Sequence, residues 1–338
     1  TAIKNLEQNT FLVVINSLEE EGSFFIDQAT LFPADHVSGF DPQIIEYFKD
    51  LNTGWTRWPG GNYASAFHWK NGIGPKSERP TLPNPGWPGL NSRAVGTDEY
   101  ILFSRLTDQE PLICVNAGLG TAEEAADWVE YCNGSVETEM GKLRANYGTE
   151  EPFQVKYWNI GNELWGPWQW GHCEAGEYSD RYLAFKKAME EKDPDIRLIA
   201  CATGAHTAGR PDWTTTLLDR VGKDLDIMDF HTYVSAPRPG NGITEKSSIQ
   251  MMLSIPVAYE QSLMEFRNDC LKRGLEHVKV DIGEYNNNNI RGISDEKQII
   301  TDLLTYAGWL HGFIRQGEYV MGGNATDYSP FDPRAGQF

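Results

Sequence analysis

No stretch of the 338-residue chain reaches the roughly 18 consecutive apolar residues that a membrane-crossing helix requires. The N-terminus also lacks a charged-then-apolar leader. A cytoplasmic protein is therefore expected, with secretion open if a signal peptide has been removed. Basic residues are scarce, 29 Lys and Arg against 48 Asp and Glu, for a formal net charge of −19. Phosphate backbones and anionic membranes are bound by Lys and Arg that displace counterions, so neither nucleic acid nor membrane is expected as a partner. A neutral substrate is compatible with this balance, as is a merely solubilising acidic surface. The five cysteines (Cys114, Cys132, Cys173, Cys201 and Cys270) form no CxxC pair and no cluster with His. That spacing speaks against a zinc site or a disulfide framework and for reduced thiols. No Gly-rich phosphate loop follows an early strand, which argues against a doubly wound dinucleotide-binding sheet. No cofactor and no catalytic metal are expected.

What is present is alternation. Short apolar, β-rich runs are expected as strands at Phe11–Ile15, Gly54–Arg57, Pro111–Val115, Val155–Ile160, Arg197–Ala202, Ile227–His231, His277–Ile282 and Glu318–Met321. Helical patterns lie between them at Pro42–Leu51, Thr97–Leu106, Thr121–Cys132, Glu177–Glu191, Trp213–Val221, Ser248–Arg273 and Asp295–Gln316. Strand–helix alternation implies a parallel sheet, and eight units imply a closed (β/α)₈ barrel. No composition break or repeat divides the chain, so residues 1–338 read as one catalytic domain. The Pro- and Gly-rich stretch Gly74–Gly89 reads as a long loop on the active-site face.

Polar residues end several of these strands. Arg57 closes the second; Asn162 and Glu163 follow the fourth; His231 and Tyr233 close the sixth; Glu284 follows the seventh. A parallel barrel gathers the carboxyl ends of its strands on one face, so residues far apart in sequence converge there. Taken singly, an Asn-Glu pair after a strand is more often a helix cap or a surface pair. Two Glu residues combined with Arg and His-x-Tyr form a more specific set. One carboxyl group able to protonate a leaving oxygen, opposite another able to attack the sugar, is the equipment of glycoside hydrolysis. Arg57, His231 and Tyr233 are placed to hold Glu284 ionised, and Asn162 to orient a sugar hydroxyl. Retention would set the two carboxyl groups roughly 5–5.5 Å apart. Asp281 reads either as a carboxylate supporting the site from behind or, in preference, as a strand-end partner for a backbone amide.

Several longer segments resemble the glycoside hydrolase family 51 α-L-arabinofuranosidases, within the clan of retaining barrel glycosidases. They are Arg57-Trp-Pro-Gly-Gly-Asn62, His68-Trp-Lys-Asn-Gly-Ile-Gly-Pro-Lys-Ser-Glu-Arg-Pro80, Ile113-Cys-Val-Asn-Ala-Gly118, Ala125-Ala-Asp-Trp-Val-Glu-Tyr-Cys-Asn133 and Trp158-Asn-Ile-Gly-Asn-Glu163. The resemblance implies Glu163 as acid/base and Glu284 as nucleophile. It further implies Glu19, Asn62, Trp87, Asn162 and Tyr233 as substrate contacts, and Arg57 and His231 as support for the nucleophile. Trp165, Trp168 and Trp170 follow the acid in a Gly/Pro-interrupted loop and are read either as sugar-stacking rings, Trp165 foremost, or as packing of the barrel rim. Trp55, Trp128 and Trp309 are expected in the core.

Two departures bear on specificity. Asn288 stands where relatives carry a Trp, and Gly322-Gly-Asn-Ala-Thr-Asp327 differs from the family's Asn-Leu-Ala-Gln stretch. The family's C-terminal β-sandwich is not expected in this chain. The function expected is removal of α-L-arabinofuranosyl groups from plant polysaccharides such as arabinan or arabinoxylan. The alternatives are an endo-acting glucanase or xylanase on β-glucan-type chains, and a carbohydrate-binding barrel without catalysis. Homo-oligomerisation is open.

Overall fold

The computed structural model describes residues 32–204, 211–287 and 292–326. Its strands are β1 (Trp55–Trp58), β2 (Leu82–Pro83), β3 (Leu90–Asn91), β4 (Glu110–Val115), β5 (Tyr157–Ile160), β6 (Arg197–Cys201), β7 (Ile227–Val234), β8 (Lys279–Asn287) and β9 (Val320–Ala325). The helices are α1 (Pro42–Leu51), α2 (Thr97–Leu106), α3 (Ala122–Asn133), α4 (Glu139–Asn146), α5 (Ala175–Glu190), α6 (Pro211–Val221), α7 (Glu245–Lys272) and α8 (Asp295–Arg315). Strands β2 and β3 make a small antiparallel ribbon in the long loop after β1; the other seven form one parallel sheet in the order β1-β4-β5-β6-β7-β8-β9.

The sheet curls until its ends approach. A Cβ on Gly322 of β9 would stand 2.2 Å from the Trp55 ring of β1, so only glycine admits that ring. The result is a nearly closed barrel of seven strands among the described residues. An eighth strand of a closed barrel would stand between β9 and β1; the expected strand Phe11–Ile15 lies outside the described residues.

Helix boundaries follow local chemistry. Asp41 accepts a hydrogen bond from the Gln43 amide and Pro42 opens α1, while Thr121 caps α3 through the Glu124 amide. Helix α4 escapes the sequence pattern because its eight residues bury only Met140, Gly141 and Arg144, too short a stripe to show a period.

The barrel interior is layered. Leu112, Ile199 and Ile227 pack with Trp55 and Tyr157 to make an apolar floor. Two residues further along β1, β4, β5 and β7 come Arg57, Cys114, Asn159 and Asp229, linked to one another above that floor. Side chains of a strand alternate between faces, so this polar layer points inward like the floor beneath it. All five cysteines are free and buried. Outside the strands the core is aromatic. Trp128 of α3 stacks on Trp69 (centroids 5.8 Å apart), meets Trp58 and Trp158 edge-on, and donates to Thr97 Oγ1 at 3.0 Å. This cluster ties the loop after β1 to the outer wall of the barrel. Trp128→Ala should cost about 3–5 kcal/mol in urea denaturation; a loss below about 1 kcal/mol would show that the cluster is not a keystone of packing.

Asp281 of β8 is fully buried, and neither of its oxygens has a hydrogen-bond partner of good geometry among the described residues. The Ile282 backbone amide is the strand-end contact expected for it, but its effect is the smallest of those acting on the carboxyl and does not offset burial. Burial, and then the nearby Asp229 carboxylate, push its carboxyl up to about 8. It thus stays neutral where an ordinary aspartate is ionised. The unfolded chain gives up this proton near pH 4 and the folded chain only near 8, so the folded state binds more protons between those values. Stability from this group is therefore complete below pH ~4 and falls as pH rises toward 8. Asp281→Asn removes the loss: its stability relative to wild type should improve from pH 4 to pH 8 by up to about 5 kcal/mol. A difference that stays flat across that range would rule out a buried neutral acid.

Candidate active site

Six residues expected from sequence converge at the carboxyl end of the barrel: Arg57 from β1, Asn162 and Glu163 from the turn after β5, His231 and Tyr233 from β7, and Glu284 from β8. On β7 simple alternation suffices, since Asp229, His231 and Tyr233 are spaced by two. On β8 it does not. Asp229 pairs with Asp281 but His231 pairs with Glu284, so β8 carries one extra residue between these pairs. Such a bulge re-aims the residues beyond it. Here it turns Glu284 to the inner face that Asp281 already occupies. Gly283 is the residue that permits this, because a Cβ there would lie 1.9 Å from Asp229 Oδ1. After β5 the chain turns sharply through Gly161 (φ 86°) and Glu163 (φ 45°), and the Gly166 amide closes back on the Glu163 carbonyl at 2.7 Å. A left-handed φ is unfavourable for a glutamate and is held by the surrounding contacts.

The side chains form one connected network. Arg57 donates to Glu284 Oε1 at 2.9 Å and to Asn162 Oδ1 at 2.6 Å, and its Nη2 lies 3.9 Å from Asp229. Tyr233 donates to Glu284 Oε2 at 2.5 Å, so both oxygens of that carboxylate have a donor. His231 differs from expectation. Its Nδ1 bonds Glu163 Oε1 at 3.0 Å, while Glu284 Oε2 is further away at 3.5 Å. Its Nε2 bonds Asp229 Oδ2 at 3.1 Å. The imidazole therefore bridges the two glutamates rather than serving Glu284 alone. The second Glu163 oxygen, Oε2, accepts from Trp168 Nε1 at 2.8 Å. One ligand-type atom from each of Glu163, His231 and Glu284 lies within 4.8 Å of the others. The positive charge beside them already comes from Arg57.

Both nitrogens of His231 face carboxylates, which only accept, so a doubly protonated ring satisfies both contacts. Burial works against that charge, but Glu284, Asp229 and Glu163 together hold the ring well above the ordinary imidazole range. Burial also acts on Glu163, pushing its carboxyl up. It is outweighed by the hydrogen bond and charge of His231, the Trp168 N–H and the charge of Arg57, which leave the group below the usual glutamate value. In the ligand-free site Glu163 is thus held ionised rather than as a ready acid.

The remaining sequence expectations fare differently. The Asn62 carbonyl accepts weakly from Gln169 at 3.3 Å, beside the loop that carries Trp87. Trp87 stands at the mouth, 45% exposed. Trp165 follows the rim-packing alternative: the residue is only 8% exposed and meets Trp168 edge-on. The exposed rings of that loop are Trp168 and Trp170, each 54% exposed. Glu19, Asn288 and Asp327 lie outside the described residues. Sequence reasoning passed over Asp229, Asn159, Gln169 and Thr326. Asp229 and Asn159 had a signal, since each is a polar residue at an inward step of an apolar strand. Thr326, whose hydroxyl lies 2.8 Å from Tyr233 Oη, had none.

The sequence profile described as Alpha-L-arabinofuranosidase 1 domain matches residues 47–244. A probable alpha-L-arabinofuranosidase C from Aspergillus clavatus is 31% identical over 307 residues, 85% of this chain and 59% of that protein. An intracellular exo-alpha-(1->5)-L-arabinofuranosidase 1 from Bacillus subtilis is 34% identical over 204 residues, 60% of this chain and 40% of that protein. Among solved structures, the thermostable GH51 alpha-L-arabinofuranosidase of Thermotoga petrophila superposes with a TM-score of 0.71 at 31% identity, covering 87% of this chain and 59% of that one. The chain therefore spans about three-fifths or less of the length of these relatives. With more than half of its residues matched by that domain profile, the chain belongs to the family of the alpha-L-arabinofuranosidase 1 domain and shares its barrel with glycoside hydrolase family 51.

Proposed function

We propose that the protein removes α-L-arabinofuranosyl groups from plant polysaccharides such as arabinan or arabinoxylan with retention of configuration, using Glu284 as nucleophile and Glu163 as acid/base. The observation that carries this reading is the closeness of the two carboxylates across the barrel mouth, with oxygen atoms within 4.8 Å. Retaining enzymes hold their carboxyl groups about 5–5.5 Å apart, whereas inverting ones leave roughly 6.5–9.5 Å for a water. The names of the Aspergillus and Bacillus relatives support the choice of arabinofuranose.

In this mechanism Glu284 attacks the anomeric carbon while Glu163 passes a proton to the departing glycosidic oxygen. The glycosyl ester that forms on Glu284 is then hydrolysed by a water whose proton returns to Glu163. Arg57 and Tyr233, on separate oxygens of Glu284, hold that carboxylate in one orientation for the first step. Asn162 is fixed on both sides, its Oδ1 accepting from Arg57 and its Nδ2 donating to Gln169 Oε1 at 3.3 Å, beside the carboxylate pair. The buried free thiols and the intracellular Bacillus relative support a cytoplasmic setting.

Aryl α-L-arabinofuranoside should be cleaved with retention, read by NMR of the first-formed anomer, and Glu284→Gly should abolish turnover. Glu163→Ala should lose about 10²–10⁴-fold on substrates with poor leaving groups. Azide should restore turnover of an activated aryl substrate in that variant as the glycosyl azide of retained configuration. An inverted product would overturn the nucleophile assignment, and an unimpaired Glu163→Ala would overturn the acid. Cleavage of β-glucan or xylan alone would keep the carboxylate pair and replace the arabinofuranoside by an endo-glycanase substrate.

A further inference from the structure

We propose that Trp168 is a latch on Glu163: its indole N–H occupies the carboxylate oxygen not taken by His231, and substrate must displace it before Glu163 can take up the proton that it donates. This inference rests on the reading of Glu163 as the acid/base. A carboxyl group that is to act as an acid must first bind a proton, and every N–H donated to its oxygens favours the ionised form instead. In this site both oxygens already accept one, Oε1 from His231 at 3.0 Å and Oε2 from Trp168 at 2.8 Å. Two donors suit a carboxylate and oppose protonation.

The two contacts are not equally fixed. The His231 side chain is 4% exposed and anchored on its far side by Asp229. Trp168 is 54% exposed, so it is the partner that an incoming sugar can move. Its placement is nevertheless built into the loop. A Cβ at Gly166 would fall 2.5 Å from the Trp168 ring, so glycine at that position lets the indole fold back toward Glu163. Trp165, buried beneath, meets the same ring edge-on at 5.1 Å. When the indole swings away, Glu163 keeps its bond to His231 and gains an open Oε2 directed at the cleft. The proton comes from solvent, and the leaving oxygen then receives it.

The other groups that act on Glu163 are Arg57 from β1, Cys201 from β6, His231 from β7 with Asp229 behind it, and Glu284 from β8. None of them is altered by a change at Trp168. Their combined charge leaves room for one more proton, since two cations, Arg57 and His231, face three carboxylates.

The test compares wild type, Trp168→Phe, Trp168→Ala and Glu163→Gln in two ways. The first needs no substrate: tryptophan emission is followed as the ligand-free protein is titrated with acid. Protonation of Glu163 removes the acceptor of the indole N–H, so wild type should show a transition that is missing in both Trp168→Phe and Glu163→Gln. A wild type without that transition, or one that persists unchanged in Trp168→Phe, would overturn the latch. The second is the pH profile of kcat/KM on an aryl arabinofuranoside, whose alkaline limb reports the essential acid of the free enzyme. Loss of the N–H should move that limb to higher pH in both Trp168 variants, so that kcat/KM on the alkaline side, relative to the optimum, rises roughly 2- to 10-fold. A Trp168 that only packs the loop would lower activity at every pH and leave the limb in place, which again overturns the proposal. If wild type cleaves no arabinofuranoside, the functional reading fails, and the emission titration still decides the latch.

Discussion

A guanidinium inside the barrel is the contact on which the site depends. Arg57 lies with its side chain 5% exposed, above an apolar floor, and reaches Glu284, Asn162 and Asp229 from three other parts of the barrel. Burying charge in such a place is costly unless each charge is paired and hydrogen-bonded. The rigid fork of arginine meets several acceptors at once, which a lysine could not do. Through it, a residue on β1 sets the orientation of a carboxylate on β8 and of an amide after β5. The neutral Asp281 shows the other side of this constraint, since a carboxyl group in the same interior without a charged partner in contact keeps its proton.

His231 extends this charge lattice toward the mouth. Arg57 binds Glu284 directly, while His231 spans Asp229 and Glu163 and stands within ion-pair reach of Glu284. The two glutamates consequently experience the same cations from different directions. One is clamped by Arg57 and Tyr233. The other shares its oxygens between the imidazole and a solvent-exposed indole. On the proposed roles, the buried clamp falls on the nucleophile and the exposed one on the acid/base, whose proton occupancy has to change during turnover.

Much of this organisation was legible in the chain. The ranges of α1 and α2 were expected as they are observed, because helical periodicity is local to its segment. The seven parallel strands were visible as short apolar runs, and the residues closing β1, β7 and β8 stood out as polar residues at strand ends. Stacking and packing stayed open for this loop because Trp165, Trp168 and Trp170 look alike in sequence. Which ring turns inward depends on how the loop crosses the rim, and on the space that Gly166 leaves. Asp229 was passed over for a related reason: an aspartate in an apolar strand gains significance only when a histidine two residues on turns to the same face.

The sequence by itself determined the alternation of strands and helices, the barrel that alternation implies, and the set of polar residues delivered to its carboxyl end. Those properties are encoded by periodicity and spacing along the chain. Only the tertiary structure decided that His231 bonds Glu163, that a bulge at Gly283 turns Glu284 inward, and that Trp168 covers one oxygen of Glu163. These are relations between side chains from different strands and loops, fixed by register, by a bulge and by competition for space inside a nearly closed sheet. None of those quantities is written in any one segment of the sequence.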